Sequence, residues 1–301
     1  MIAPSAPARP QGGILLGIGA YAIWGLLPLY MHLLSAVSPL QVVANRVIWS
    51  AILLVGVTLA LGRLWPILKA ARGRTLLLLI ASATAIAINW LVYIWAVQQH
   101  HVLEASLGYF INPMVNVALG VALLGERVRP VQWGAVAIAA VGVSVMAVSG
   151  GGAIWISLML ALSFGAYGLL RKVVAMEALG GLLVETLVLM PPALLLLVAA
   201  EVKGTGAFGH DLSLSLLLAL AGPITTVPLL LFAAAARRMT YSSLGLLQYI
   251  APTIQFVVAL ALGETLKPAY LLAFVLIWSG CAIYALDSVR AARQARVMLP
   301  E

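Results

Sequence analysis

The chain has 301 residues, of which 63% are hydrophobic and only 9% charged, with a formal net charge of +8. Soluble domains carry about 25% charged residues, and a soluble core of this length has too little interior to hide so much apolar surface. The composition excludes a soluble globular protein and makes lipid the solvent for most of the chain.

Crossing a hydrocarbon layer of ~30 Å takes roughly 20 apolar residues per helix. Ten segments of that kind follow one another. Runs this long without strict alternation fit helices and not barrel strands. The first, 12–31, follows a proline-rich tail at 1–11 and is too long for the core of a cleaved signal, so it is expected to stay as a helix. It carries Tyr21 and Trp24. The second, 42–62, carries Arg46, and the third, 75–97, has Asn89 and Trp90 at its middle, with His100 and His101 just beyond its end. The fourth, 103–124, holds Glu104, Tyr109, Asn112, Pro113 and Asn116. The fifth, 131–149, presents Ala135, Ala139 and Gly142, small residues suited to helix packing within a monomer or across a dimer. A glycine triplet at 150–152 precedes the sixth, 153–171, with Tyr167. The seventh, 180–199, contains Glu185 and the pair Pro191-Pro192, and the eighth is 214–236. The ninth, 241–262, carries Gln248, Tyr249, Pro252 and Gln255. The tenth, 269–287, holds the sole cysteine, Cys281, which excludes an intramolecular disulfide, and a basic tail occupies 288–301.

The basic residues are placed by topology and do not form a nucleic-acid surface. If the segments alternate in direction, fourteen lysines and arginines lie at one side. They are Arg9, Arg63, Lys69, Arg72, Arg74, Arg127, Arg129, Arg171, Lys172, Arg237, Arg238, Arg290, Arg293 and Arg296. Only Lys203 and Lys267 lie at the other. That bias places both termini in the cytoplasm. The remaining cation, Arg46, is inside segment two.

The chain also repeats itself. Ser106-Leu107-Gly108 with Pro113 recurs as Ser243-Leu244-Gly245 with Pro252. Gly125-Glu126 with Pro130 recurs as Gly263-Glu264 with Pro268, and Trp24-Gly25-Leu26-Leu27 resembles Tyr167-Gly168-Leu169-Leu170. The unit is five helices, an odd number, so the second copy enters the membrane upside down. His100-His101 at the end of segment three against Arg237-Arg238 at the end of segment eight is the charge difference that inversion requires. The expected fold is an all-α polytopic membrane protein of ten transmembrane helices in two inverted five-helix repeats, 12–149 and 153–287. Such repeats are typical of secondary transporters.

The run LEASLGYFINPMVNVALGVALLGERVRPVQW, with NRVIWS at 45–50, YAIWGLLPLY at 21–30, TTVPLL at 225–230 and QYIAPT at 248–253, resembles the RarD type of the EamA group in the drug/metabolite transporter superfamily. The similarity extends from segment one through segment ten. It implies ten helices in two inverted halves about a central cavity, with the fourth and ninth helices near the cavity and the fifth and tenth peripheral.

A proline removes the amide that would bond the carbonyl four residues earlier. Pro113 is expected to free the carbonyl of Tyr109, and Pro252 that of Gln248, near mid-membrane, where protein or a wet cavity must satisfy them. Paired breaks of this kind point to a transporter's site. The candidate substrate-binding residues are Tyr21, Trp24, Asn89, Trp90, Tyr109, Asn112, Asn116, Tyr167, Gln248 and Tyr249. Amides also bond helices together in lipid, so binding and structural roles both stand for each of them. Arg46 and Glu185 occupy corresponding repeat positions and either gate the pathway, pairing across the halves, or snorkel to an interface. His100, His101 and Glu104 form either a wet interfacial cluster or a proton-coupling group, with His100 and Glu104 one helical turn apart.

No metal site is expected, since no HExxH or paired-cysteine pattern occurs. No ATP-binding loop is present either, no cofactor is expected and no catalytic residues are assigned. The expected function is a secondary transporter of a small organic solute, metabolite or drug, by alternating access. The expected setting is the inner membrane of a bacterium, with membrane lipid and the solute as partners and a homodimer left open. The alternatives are an intramembrane enzyme on a lipid-linked substrate, or an uncoupled facilitator or channel; the scattered acids and absent charged rings speak against them.

Overall fold

The computed structural model describes residues 10–124, 129–149, 153–236 and 247–297. Gly125-Glu126, the glycine triplet 150–152, Arg237-Arg238 and Ser243-Leu244-Gly245 lie outside those residues. So do the side chains of Pro113 and Asn116. Every regular element among the described residues is a helix. In chain order these are α1 (Pro10–Gly25), α2 (Leu27–Leu33), α3 (Pro39–Ala60), α4 (Leu64–Ala70), α5 (Gly73–Gln98), α6 (Val102–Leu124), α7 (Pro130–Ser149), α8 (Ile154–Val173), α9 (Ala178–Val202), α10 (Leu212–Ala236), α11 (Ile250–Ala261) and α12 (Pro268–Val297).

Six stretches are long and apolar enough to cross a membrane, with Gly13–Leu33 counted as one, and three shorter apolar helices accompany them. Side chains on the outer faces are themselves apolar, with Leu15 70% and Leu195 71% exposed. Water would not tolerate a whole surface of this kind, and hydrocarbon does.

The structure departs from the sequence expectation in four places. Segment one is two helices, with a turn at Leu26, because Pro28 lacks the amide that would bond the Trp24 carbonyl. That carbonyl is instead satisfied by Nε2 of Gln255, at 3.1 Å from α11. A short helix, α4, lies between segments two and three, with Trp65 exposed and Ile67 buried. Pro252 is not mid-helix among the described residues. A turn at Gln248-Tyr249 precedes it, and Pro252 sits in the first turn of α11, whereas α6 runs helical through position 113. Finally, α12 continues as a helix through the basic tail to Val297.

The packing links the first five segments to the last five in reciprocal pairs. The helix α1 packs on α10 and α11, and α8 packs on α5 and α6; α3 packs on α10, and α9 on α5. Three further contacts join helices at corresponding positions of the expected repeat: α3 with α9, α6 with α11, and α7 with α12. The small residues of α7 serve the last of these. A Cβ on Gly280 would meet the Ala135 carbonyl oxygen at 2.6 Å, and one on Gly142 would meet the Ala273 carbonyl oxygen at 3.0 Å. Ala135, Ala139 and Gly142 are therefore used within the chain.

Polar side chains tie the ends. At one end, Gln41 donates to the Thr205 carbonyl (2.9 Å) and accepts from the Ala207 amide (3.0 Å). Gln98 donates there to the carbonyls of Leu34 and Val37. At the other end, Arg63 pairs with Glu177 at 2.5 Å and Arg129 with Asp287 at 2.9 Å.

Candidate functional site

Four helices bring polar and aromatic groups to one buried centre. Asn89 on α5 is its hub. Its Nδ2 donates to the Leu160 carbonyl and to Ser163 Oγ on α8, both at 3.0 Å, and its Oδ1 accepts from the Tyr109 hydroxyl of α6 at 3.0 Å. One amide thus spends three hydrogen bonds holding three helices together. Trp90, next along α5, lies under the guanidinium of Arg46, 4.3 Å from the ring centroid. The ring of Tyr109 contacts those of Tyr93 (5.8 Å) and Phe164 (6.0 Å), and Phe164 contacts Tyr167 (5.9 Å).

Arg46 is 4% exposed, and its Nε donates to Thr225 Oγ1 on α10 at 2.6 Å. Glu185 on α9 is 1% exposed. It accepts from Ser82 Oγ of α5 at 2.5 Å and lies 3.6 Å from the Arg171 guanidinium. The expected pairing of Arg46 with Glu185 is therefore replaced by two separate arrangements. Each charge turns to the neighbouring helix of the opposite half and finds a hydroxyl there. Snorkelling is likewise corrected, since both side chains are buried. Burying a charge without a partner is costly, and Glu185 meets that with Arg171. Gly181, one turn earlier on α9, leaves the space through which Arg171 reaches it, since a Cβ there would overlap the guanidinium.

Other candidates fall elsewhere. Tyr21 and Trp24 of α1 pack edge-on at 5.4 Å and share Phe232 of α10, forming a second aromatic cluster. Tyr249 stacks on Phe110 at 6.3 Å. Asn112 is buried with neither side-chain atom hydrogen-bonded. Gln248, at the turn before α11, makes no hydrogen bond to Asn89, Tyr109 or Asn112. The centre thus joins Arg46, Asn89, Trp90, Tyr109 and Tyr167, but not Gln248 or Tyr249. Ser106, of the repeated Ser-Leu-Gly, donates to the carbonyl of Pro252 at 2.7 Å and so joins α6 to α11.

A cavity of about 640 Å³ opens at the end where α5 meets α6, lined by His100, His101, Glu104, Trp155, Glu264 and Tyr270, among others. His100 ends α5 in the left-handed region, at φ 58°, a position helices use to stop, and its ring faces His32. The expected His100–Glu104 partnership is corrected to His101–Glu104, at 3.5 Å, because the turn points His100 away. Tyr270 donates to Glu104 at 2.8 Å. Glu264 accepts from the amides of Val102 and Leu103, at 2.6 and 2.9 Å, capping the start of α6 from the α11–α12 turn. Burial pushes its carboxyl up to about 7; the two amides pull it down and Glu104 pushes it further up. Sequence reasoning missed Thr225, Tyr93, Ser163 and Arg171 at the centre. Thr225 opens the TTVPLL run that carried the resemblance, and the others have no local signal. The recurrence of Gly263-Glu264 marked the turn glutamate but gave no sign of the cap it forms.

Comparison with known proteins places the chain in a family. A model of the EamA-like transporter family matches residues 11–148. Over 290 residues the chain is 44% identical to Protein RarD of Escherichia coli K12, covering 95% of this chain and 98% of that protein. It is 43% identical over 288 residues to an uncharacterized transporter of Vibrio cholerae, covering 94% and 95% respectively. The chloramphenicol-sensitive protein RarD of Pseudomonas aeruginosa is 36% identical over 292 residues, covering 94% and 97%. A crystal structure at 19% identity superposes with a TM-score of 0.60 over 92% of this chain and 98% of its own, which shows a shared fold. The chain belongs to the EamA-like transporter family, in its RarD branch. It is an integral membrane protein.

Proposed function

We propose that the chain is a secondary transporter that carries a small organic solute by alternating access, rocking two inverted five-helix halves about the centre at Arg46, Asn89, Trp90 and Tyr109. The observation that carries this reading is the reciprocity of packing. The contacts of α1 with α10, α1 with α11 and α3 with α10 each have a counterpart, α8 with α5, α8 with α6 and α9 with α5, in which helices at corresponding positions of the two halves exchange places. Two halves related in that way have two arrangements of similar energy, which is what alternating access requires. The relatives named transporters support the same class. Basic residues at the Arg63–Glu177 end make it the cytoplasmic side, with both termini inside. The bacterial relatives favour the inner membrane.

The test uses the one conservative site at the centre that needs no charge change. In a Cys281→Ser background, Ser163→Cys is exposed to a membrane-impermeant thiol reagent in intact cells and in inverted vesicles. Labelling from both faces is expected. Labelling from neither face, or from only one, would contradict the proposal.

A further inference from the structure

We propose that Arg46 is the anchor for the cargo's charged group, and that the cargo is a monocarboxylate with an apolar or aromatic body. This deepens the transporter reading and rests on it.

The two repeat-related charges are treated differently by the fold. Glu185 has a cation, Arg171, and a hydroxyl, Ser82. Arg46 is as deeply placed, yet among the described residues no carboxylate pairs with it. Its one hydrogen bond goes from Nε to Thr225, and Nη1 has no partner. Its remaining electrostatic neighbours are the neutral phenols of Tyr30, Tyr93 and Tyr109, and one face of the guanidinium is spent on Trp90. A guanidinium stays protonated in proteins, so it cannot escape this position by losing its charge. A permanent cation with a free nitrogen and no counter-ion among the described residues, where helices of the two proposed halves meet, is a site waiting for an anion.

The surroundings define that anion further. A carboxylate accepts two parallel bonds from a guanidinium, and here Nη1 is free to donate. The Tyr93 hydroxyl is also buried and without a partner, and supplies a second kind of donor in the same electrostatic neighbourhood. One cation balances one negative charge, which favours a monocarboxylate over a phosphate ester or a dicarboxylate. The side chains around the guanidinium are aromatic, with Trp90 against it and Tyr93, Tyr109, Phe164 and Tyr167 in a run of ring contacts beside it. They leave a bare inorganic anion without favourable contacts and suit an apolar or ring-bearing body.

The experiment compares matched acids and amides of nearly equal shape on the purified full-length protein. Phenylacetate is set against phenylacetamide and indole-3-acetate against indole-3-acetamide, by thermal shift and titration calorimetry. The acids are expected to bind and their amides to bind more than about thirtyfold more weakly, the usual size of a lost buried charge contact. In Arg46→Gln the acids should fall to the level of the amides, and Arg46→Lys should lie between. Equal binding of acid and amide by the wild type would overturn the proposal, and that comparison needs no variant to fold. Undiminished acid binding by Arg46→Gln would also overturn it, as would failure of both acids to bind while Ser163→Cys is still labelled from both faces. Loss of that two-sided labelling would bring down the carrier reading as well, so the two failures are told apart.

Discussion

Glu264 caps α6 while facing Glu104, His101, Lys267 and Tyr270 across the open cavity. Its carboxyl is moved from 4.5 up to about 7, so the folded chain holds that proton more tightly than the unfolded one. The stability this provides is complete below the free value and is lost as pH rises through about 7. Between about pH 5 and pH 8 the melting temperature of the wild type should therefore fall relative to that of Glu264→Gln; parallel profiles would refute the assignment. Ser106→Ala removes the bond to the Pro252 carbonyl and should cost roughly 0.6 kcal/mol, the average for such bonds in a membrane protein, measured by reversible unfolding in detergent. The residue types at these positions were legible in the sequence, since a polar side chain in an apolar run stands out. Their partners were not. Which of two adjacent histidines meets Glu104 depends on one left-handed turn at His100, and that no carboxylate among the described residues meets Arg46 is a fact of three dimensions.

At the scale of the element, six of the ten expected segments coincide with helices long and apolar enough to cross a membrane among the described residues, because a span must be long and apolar whatever its neighbours are. The errors came where length failed as a guide. At seven residues, α4 is too short to register as a span. The rule that a proline frees a carbonyl holds at Pro28 as well. At Pro28 the freed Trp24 carbonyl is taken up by Gln255 from the opposite half. Small residues were legible as packing sites, and only the structure shows that α12 is what covers them. Gly280→Leu would press a side chain into the α7 backbone near Ala135. Overpacking of this kind should cost about 1–3 kcal/mol, seen as a lower melting temperature, whereas a leucine placed on the exposed outer face, at Val275→Leu, should leave it unchanged.

For the whole molecule, the short motifs that recur along the chain were legible in the sequence, and the main helix contacts are arranged as the proposed inversion would arrange them. What the sequence leaves open is motion. If the halves rock, the two ends of the bundle must open in turn. Pulsed EPR between spin-labelled cysteines reads this directly in a Cys281→Ser background. Trp65 with Val173 serves one end and Leu33 with Leu212 the other, all of them exposed positions. Two separations are expected for each pair, with the share of long distances at one end matching the share of short distances at the other. A single separation at both ends, or ends that open and close together, would contradict alternating access.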